Sequence, residues 1–238
     1  MSVRSRLLAL LDEVTATLGG EVDGLVLVGG SALALYSLRP GTALRPTVDV
    51  DLVADTDLPA YYALQDRLRA LGFNPVLEGP LCRLRKGDLV LDIMSTDEAV
   101  LGFTNRWYRE AVETAEWFSL PSGRRIRAAS PLCLAASKFE AFLGRGDRDF
   151  LASHDLEDLL GLLSGDPPLR SAIQGEPRAA ATFLRQNLAL LAGSSDFLAA
   201  VPAHFPGDRA GQERAAELVV WLRSIAARGT GRSDEYER

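Results

Sequence analysis

The sequence predicts an α/β (α+β) fold, in which a mixed-sheet core is followed by a helical C-terminal subdomain. Before residue 130, short apolar runs with strand periodicity alternate with helical patterns, whereas from Pro131 onward the pattern is almost wholly helical. Clusters of glycine, proline and aspartate separate these segments. We therefore expect a core over residues 1–130, a helical subdomain over 131–228 and a disordered polar tail over 229–238.

The core begins with a helix, a strand and a glycine turn. Leucines at helical spacing predict a helix over 4–18 that ends at a glycine pair. The apolar run over 25–28 predicts a buried strand, and Gly29-Gly30-Ser31 then predicts a tight turn into a short helix with Ser31 near its N-cap. The later core segments are predicted as a strand over 47–53, a helix over 58–71 and strands over 73–78, 81–85, 89–94, 114–119 and 124–128.

The helical half shows apolar residues at three- and four-residue spacing in several separate segments. These segments are long enough for helices and are bounded by glycine, proline and aspartate. The predicted helices cover 131–143, 153–164, 177–192, 195–201 and 209–228.

The composition excludes several classes of protein. No apolar run approaches the roughly 20 residues that span a bilayer, and the first residues lack the apolar core of a signal peptide, so we expect a cytoplasmic protein with no membrane partner. Cys82 and Cys133 are isolated and predicted to be small buried hydrophobes. His154 and His204 are the only histidines, which disfavours a zinc hydrolase. The net charge of −6 argues against a wholly basic nucleic-acid-binding surface.

Three aspartates form the candidate metal site. Asp49 and Asp51 alternate with apolar residues and therefore share one face of their predicted strand. Asp92 interrupts an otherwise apolar strand, where a carboxylate is costly to bury unless it is paired or bound to a metal. Such carboxylates suit Mg²⁺, which prefers oxygen ligands. Two solvated aspartates on an exposed strand remain the alternative interpretation of the pair taken alone.

The glycine turn supplies the context for these carboxylates. Gly29 and Gly30 let a phosphate approach the backbone, and Ser31 together with the following helix N-terminus offers hydrogen-bond donors. By itself, a glycine pair after a strand is more often only a turn.

The order of strand, glycine turn, short helix, Asp49-Val50-Asp51 strand and later Asp92 resembles the DNA polymerase β-like nucleotidyltransferase superfamily. The resemblance covers residues 22–130. It implies that the turn opens the active site, that Asp49 and Asp51 bind two Mg²⁺ ions, with Mn²⁺ as an alternative ion, and that Asp92 joins them. It also implies catalysis at these aspartates and a helical C-terminal part.

A second pattern narrows the family. Lys138 and Arg145 lie on one face of a predicted helix together with Ala141, and Asp155 and Asp158 share a face of the next helix. This pattern resembles the AbiEii/AbiGii abortive-infection toxins and the related MenT toxins. The resemblance implies that Lys138 contributes to catalysis and to NTP binding, that Arg145 pairs with phosphate or with Asp155 or Asp158, and that one of these aspartates orients Lys138. A solvated helix face with ion pairs is the alternative.

Further polar residues surround these motifs. Arg39 and Arg45 flank the loop between the glycine turn and the Asp49 strand and are predicted to reach the triphosphate or an acceptor phosphate. Thr47 lies on the face of Asp49 and is predicted to hydrogen-bond a carboxylate there. A candidate acceptor groove, for which a scattered solvated surface is the alternative, comprises Arg83, Arg85, Arg106, Arg109, Arg124, Arg125 and Arg127.

The expected reaction is transfer of a nucleoside monophosphate from an NTP to an acceptor hydroxyl, with release of pyrophosphate. The resemblance favours RNA, the 3′ end of tRNA above all, as the acceptor of a toxin that has a cognate antitoxin. Nucleotidylation of a small molecule, such as an antibiotic, or of a protein hydroxyl is the alternative. A non-catalytic nucleotide-binding module is an alternative of another class. The sequence leaves the preferred NTP and the oligomeric state open.

Overall fold

A mixed seven-stranded sheet and a set of helices make up the fold, as expected for an α/β protein. The computed structural model describes residues 1–145 and 149–230; residues 146–148 and 231–238 and the side chains of Arg145 and of residues 228–230 lie outside this description. By contacts between residues the chain divides into two compact units. Unit 1 comprises Met1–Tyr36 and Leu44–Ser137, and unit 2 comprises Ser37–Ala43 and Lys138–Arg238. The expected boundary near residue 130 stays a prediction.

The sheet belongs to unit 1 and has the strand order β3-β4-β5-β2-β1-β7-β6. Strand β2 pairs in parallel with β5 and antiparallel with β1, so the sheet is mixed. The strands are β1 (Leu25–Leu27), β2 (Asp49–Ala54), β3 (Asn74–Pro75), β4 (Arg83–Lys86), β5 (Leu89–Ser95), β6 (Glu116–Ser119) and β7 (Arg125–Ala128).

Ten helices connect and follow these strands in the described part of the chain. The four in the first half are α1 (Val3–Leu18), α2 (Leu58–Ala70), α3 (Glu98–Leu101) and α4 (Tyr108–Glu113). The others are α5 (Pro131–Arg145), α6 (His154–Gly165), α7 (Pro167–Gly175), α8 (Ala179–Leu191), α9 (Ser195–Ala200) and α10 (Arg209–Thr230).

The structure corrects some predicted elements. The strands predicted over 73–78 and 81–85 are shorter, since Asn74–Pro75 and Arg83–Lys86 alone pair with neighbours. The helices α3, α4 and α7 had no predicted counterpart. The first two are short, and α7 begins with two prolines, whose fixed φ suits the first helical turn. Helix α10 continues to Thr230, and the rest of the tail predicted over 229–238 lies outside the described residues.

The glycine turn leads into a 3₁₀ helix, Gly30–Ala34, rather than into an α-helix with Ser31 near its N-cap. Gly29 takes the N-cap position with φ of 69° and ψ of −169°, a conformation that is essentially restricted to glycine. Ser31 therefore lies inside the 3₁₀ helix and is fully buried.

The core of unit 1 lies against both faces of the sheet. On one face Val53 and Met94 join a buried cluster that also contains Cys133, and helix α4 contributes Ala111 to it. Every residue of β5 is buried, so both of its faces are covered, and Tyr61 of α2 donates a hydrogen bond from its hydroxyl to the carbonyl oxygen of Ile93, at 2.7 Å. Cys82 and Cys133 are free and buried, so their prediction as small buried hydrophobes is confirmed. Burial of apolar area on both faces stabilises the sheet.

The core of unit 2 is a chain of phenylalanines surrounded by leucines of the helices. Phe139 and Phe142 of α5 lie 6.2 Å apart between ring centroids, and Phe139 lies 5.9 Å from Phe183 of α8. Phe150 continues the chain to Phe197 of α9, at 5.6 Å. Such aromatic pairs add to the stabilisation that their buried area provides.

An ion network ties the segment 37–43 to the helices of unit 2. Glu217 of α10 accepts hydrogen bonds from Arg170 at 2.6 Å and from Arg39 at 2.9 Å. These contacts, chiefly the one from Arg170, lower the pKa of Glu217. Arg170 is nearly buried, so its partner satisfies a charge that would otherwise be costly.

None of the helices in residues 1–145 and 149–230 is long and apolar enough to cross a membrane.

Candidate active site

The pairing of β2 with β5 brings the three predicted aspartates onto one face of the sheet. The parallel register sets Asp51 beside Asp92 and Asp49 beside Val90. Because side chains alternate along a strand, Asp49, Asp51 and Asp92 all point to the same side. Further along the same face, Val53 and Met94 enter the apolar cluster. The carboxylates therefore lie where a buried apolar layer ends.

Arg83 lies across this face and contacts two of the three carboxylates. Strand β4 pairs antiparallel with β5 so that Arg83 stands opposite Asp92. Its Nε and Nη2 donate to the two carboxylate oxygens of Asp92 at 2.8 and 2.7 Å, and Nη2 also lies 3.2 Å from an oxygen of Asp49. The hydrogen bonds to Asp92 raise the pKa of Arg83 above its usual value. This bidentate pairing explains why Asp92 is tolerated at 7% exposure.

The contact of Arg83 with the carboxylates was not predicted, since the sequence pattern placed Arg83 only among several arginines of a candidate groove. A signal was nevertheless present. Gly87 and Asp88 form a two-residue link in which Lys86 pairs with Leu89. In a hairpin with this two-residue link, the antiparallel register that pairs Lys86 with Leu89 also pairs Arg83 with Asp92.

The Gly29 turn touches the carboxylates directly. Its φ of 69° is in the left-handed region, and a β-carbon placed on it would lie 1.9 Å from the Oδ2 atom of Asp51. The neighbouring Val28 N–H donates to the carbonyl oxygen of Asp51 at 2.9 Å. Only glycine fits this position, because any other residue would displace Asp51.

The other residues of the turn lie beside the carboxylate strand. The 3₁₀ helix that contains Gly30 and Ser31 packs against β2. The hydroxyl of Ser31 is buried and, within the described residues, has no hydrogen-bond partner. An unsatisfied buried hydroxyl beside a glycine turn suits a ligand oxygen better than an apolar core.

Of the three loop residues predicted to assist the site, Thr47 and Arg45 belong to unit 1 and Arg39 belongs to unit 2. Thr47 donates its hydroxyl to Oδ1 of Asp49. Arg45, also in unit 1, is partly buried and donates to the carbonyl oxygen of Pro46 at 3.5 Å. Arg39 belongs to unit 2, where it pairs with Glu217.

Three carboxylates and the Thr47 hydroxyl form a donor set of hard oxygen atoms, which is the chemistry that Mg²⁺ prefers. In the arrangement described, however, Arg83 engages Asp49 and Asp92. Among residues 1–145 and 149–230, no three His, Cys, Asp or Glu side chains are grouped so as to hold a metal ion.

Burial is the main cause that raises the pKa of the Cys82 thiol to about 11, and the charge of nearby Asp92 adds to it, so this thiol stays protonated beside the site.

The predicted lysine pattern is assembled within unit 2. Lys138 of α5 places its Nζ 2.7 Å from Oδ2 of Asp158 and 3.2 Å from Oδ1 of Asp155, both on α6. All three side chains are largely buried: that of Lys138 is 11% exposed, that of Asp158 4% and that of Asp155 21%. The structure thus brings Lys138 together with both aspartates. The side chain of Arg145 lies outside the described residues.

One family model matches the chain. It is described as the nucleotidyl transferase AbiEii toxin of type IV toxin-antitoxin systems, and it matches residues 11–217. No curated protein matches the chain.

Solved structures of nucleotidyltransferase-like proteins are among those that match. An antigenic nucleotidyltransferase-like protein from Paracoccidioides brasiliensis is 19% identical with a TM-score of 0.49, over 83% of this chain and 92% of that one. The antibiotic-resistance factor ANT(2'')-Ia is 17% identical with a TM-score of 0.47, over 79% and 95%. JHP933 from Helicobacter pylori is 15% identical with a TM-score of 0.48, over 99% and 97%.

Replacing Gly29 by alanine tests the close approach of the turn to Asp51. We expect Gly29→Ala to lower the free energy of unfolding by about 3 kcal/mol, because it combines a strained φ with a clash against the carboxylate. Gly87→Ala is the control, since Gly87 also has positive φ (59°) but nothing within 4 Å of an added β-carbon. We expect that variant to lose only about 1–2 kcal/mol.

Urea denaturation of both variants, repeated in an Asp51→Ala background, provides the measurement. Part of the Gly29→Ala loss should be recovered when Asp51 is shortened, whereas the Gly87→Ala loss should not change. Equal losses for the two glycines in both backgrounds would show that the turn makes no specific contact with Asp51.

Proposed function

The chain belongs to the AbiEii nucleotidyl transferase toxin family, and on that premise we propose that it transfers a nucleoside monophosphate from an NTP to RNA at the Asp49/Asp51/Asp92 face. The family establishes a nucleotidyltransferase of the type IV toxin-antitoxin class, for which an NTP is the substrate and a cognate antitoxin is implied. The proposal adds the metal, the acceptor and the residues.

A single observation carries the assignment of the catalytic face. The β2–β5 register places three carboxylates on one side of two adjacent strands, next to a turn where only glycine fits. Buried apolar neighbours would make such a concentration of negative charge unfavourable unless cations or donors offset it. A face of this kind suits a reaction in which charged phosphates and cations are brought together.

Under this proposal Asp49, Asp51 and Asp92 bind two Mg²⁺ ions, or Mn²⁺ in their place. When bound, such ions neutralise phosphate charge and make an acceptor hydroxyl more acidic. The hydroxyl oxygen attacks the α-phosphorus of the NTP, the bond from that phosphorus to the β-phosphate oxygen breaks, and pyrophosphate leaves. Asp92 is the carboxylate proposed to accept the hydroxyl proton.

The remaining predicted residues have proposed roles in binding the nucleotide. Gly29 and Gly30 let a phosphate approach the backbone, and the unsatisfied Ser31 hydroxyl supplies a donor. Thr47 holds Asp49 in place. The proposed phosphate-binding set also includes Arg39, Arg45, Lys138 and Arg145, with Asp155 and Asp158 positioning Lys138.

For the acceptor we propose the 3′ end of tRNA, because the chain carries the lysine and aspartate pattern by which it resembles toxins of this type. A hydroxyl of a small molecule or of a protein is the second candidate, and the acidic net charge of −6 favours it. Arg125 lies over the exposed ring of Trp117 at 4.9 Å and offers some local positive charge.

The test is incubation of the protein with Mg²⁺, each α-labelled NTP in turn and total tRNA. We expect label on tRNA from the wild type, and a loss of about 10³-fold or more in Asp49→Ala and Asp51→Ala. Asp88→Ala is the control, because Asp88 is an exposed aspartate in the turn before β5. Circular dichroism checks that each variant is folded.

The same assay separates the alternatives. Label found only on the protein itself, or only on a small molecule added to the same mixture as a second acceptor, would replace RNA with the second acceptor class. Full Mg²⁺-dependent transfer by both aspartate variants would show that the carboxylate face is not the catalytic site.

Lys138 is proposed to act on the nucleotide, and its loss tests this role. We expect Lys138→Met to lower kcat/KM for NTP by about 10²-fold, because a phosphate would lose its cationic partner. The change also leaves Asp158 buried and short of its ion pair, so the free energy of unfolding should fall by about 3 kcal/mol.

The double variant Lys138→Met/Asp158→Asn distinguishes activity from stability. It removes the buried charge together with its partner, so much of the stability should return. Transfer should remain low if Lys138 handles the nucleotide. Recovery of transfer in parallel with stability would reduce Lys138 to a structural role.

A further inference from the structure

Arg83 occupies the same carboxylate oxygens that the proposed cations require. Its Nε and Nη2 engage both oxygens of Asp92, and Nη2 also approaches Asp49. The β4–β5 register holds Arg83 opposite Asp92 and thereby positions its guanidinium. Arg83 therefore spans two strands of the sheet at the centre of the acidic face.

This position makes the guanidinium and a divalent cation competitors. Three aspartates on one face repel one another unless a positive charge lies among them, and Arg83 supplies one such charge. A carboxylate oxygen that already accepts a hydrogen bond from a guanidinium binds a cation less well, because the two positive groups repel at such short range. Binding of a cation to Asp92 thus requires Arg83 to withdraw from at least one oxygen.

The contact is built in a way that permits this exchange. The Arg83 side chain is 29% exposed and that of Asp49 is 33% exposed, so water and ions reach this side of the bridge. The side chain of Asp92, taken without its backbone, is 10% exposed; it is the better shielded partner and has the shorter contacts with Arg83. The weaker and more accessible link to Asp49 is therefore the first that an entering cation would replace.

We propose that Arg83 is the counter-ion of the carboxylate face before metal binds, and that an entering divalent cation displaces its guanidinium from Asp49 and Asp92. The inference rests on the proposed function, because it assumes that the three aspartates bind the metal. Arg83 is then a positioning residue that keeps the carboxylates together and sets the metal concentration at which the site fills. A permanent structural bridge between β4, β5 and β2 is the competing explanation.

Direct Mn²⁺ binding distinguishes the two explanations. Mn²⁺ is titrated into the full-length protein without nucleotide, and free Mn²⁺ is followed by electron paramagnetic resonance. We expect Arg83→Gln to bind Mn²⁺ roughly three- to tenfold more tightly than the wild type, because the competing charge is gone. Arg83→Lys should lie between them, since a lysine ammonium cannot pair with a carboxylate in the bidentate manner.

Arg85→Gln is the matched control for this titration. Arg85 lies two residues along β4, on the same face as Arg83, and its side chain is exposed. Loss of this charge should leave Mn²⁺ affinity within about twofold of the wild type, because exposed charges are screened. An equal gain of affinity in Arg85→Gln and Arg83→Gln would reduce the effect to general electrostatics and overturn the proposal.

Thermal unfolding provides a second readout that does not depend on activity. Without metal, Arg83→Gln should melt below the wild type, because the carboxylates have lost their counter-ion. At saturating Mn²⁺ this difference in Tm should shrink or vanish, since Arg83 would no longer hold the bridge in the wild type. A difference in Tm that persists unchanged with Mn²⁺, or Mn²⁺ affinity unaltered or weakened in Arg83→Gln and Arg83→Lys, would show a permanent structural bridge.

The outcome also separates this inference from the proposed function. Asp51→Asn should lose Mn²⁺ binding whether or not Arg83 competes, since it removes a proposed ligand and keeps both Asp49 and Asp92, the carboxylates of the bridge. If wild type and Asp51→Asn bind Mn²⁺ equally, the proposed metal site is wrong and the inference falls with it. If Asp51→Asn loses binding while both Arg83 variants match the wild type, the metal site stands and only the displacement is refuted.

Discussion

The parallel pairing of β2 with β5 is the constraint on which the carboxylate face depends. It sets Asp51 beside Asp92, and the alternation of the strand then adds Asp49 to the same side. A slip of one residue in this register would move the Asp92 side chain to the opposite face of the sheet, where Ile93 now lies. The carboxylate would there be buried among apolar side chains. The cost of burying the Asp92 carboxylate on that side opposes the slip, so the β2–β5 register and the chemistry of the carboxylate face are fixed together.

Each unit contains a largely buried ion pair between its own residues. In unit 1 Arg83 satisfies Asp92, and in unit 2 Lys138 lies between two aspartates of α6. Pairs of this kind contribute little net stability relative to apolar packing, but removal of one partner is costly. Charged groups held at such a cost are candidates for function rather than for stability. This reasoning agrees with the nucleotidyltransferase family to which the chain belongs.

Local sequence signals predicted much of the fold and the face of Asp49 and Asp51, because strand alternation and glycine turns act over a few residues. They did not predict which strand lies beside which, since the β2–β5 pairing joins segments about forty residues apart and depends on tertiary packing. Asp92 stood out only as a lone charge in an apolar run. The contact of Arg83 was not predicted, because the strands predicted over 81–85 and 89–94 leave a three-residue link, whereas the observed hairpin has the two-residue link Gly87-Asp88. The 3₁₀ form of the Ser31 turn was not predicted either.

The central claim is that Asp49, Asp51 and Asp92 together bind the catalytic cations. Crystals grown with Mn²⁺ and a non-hydrolysable NTP, with diffraction data collected at the manganese absorption edge, test it most directly. Anomalous peaks within about 2.5 Å of oxygen atoms of all three carboxylates are the predicted result. Manganese bound to the triphosphate alone, with Arg83 still paired to Asp92, would contradict the claim.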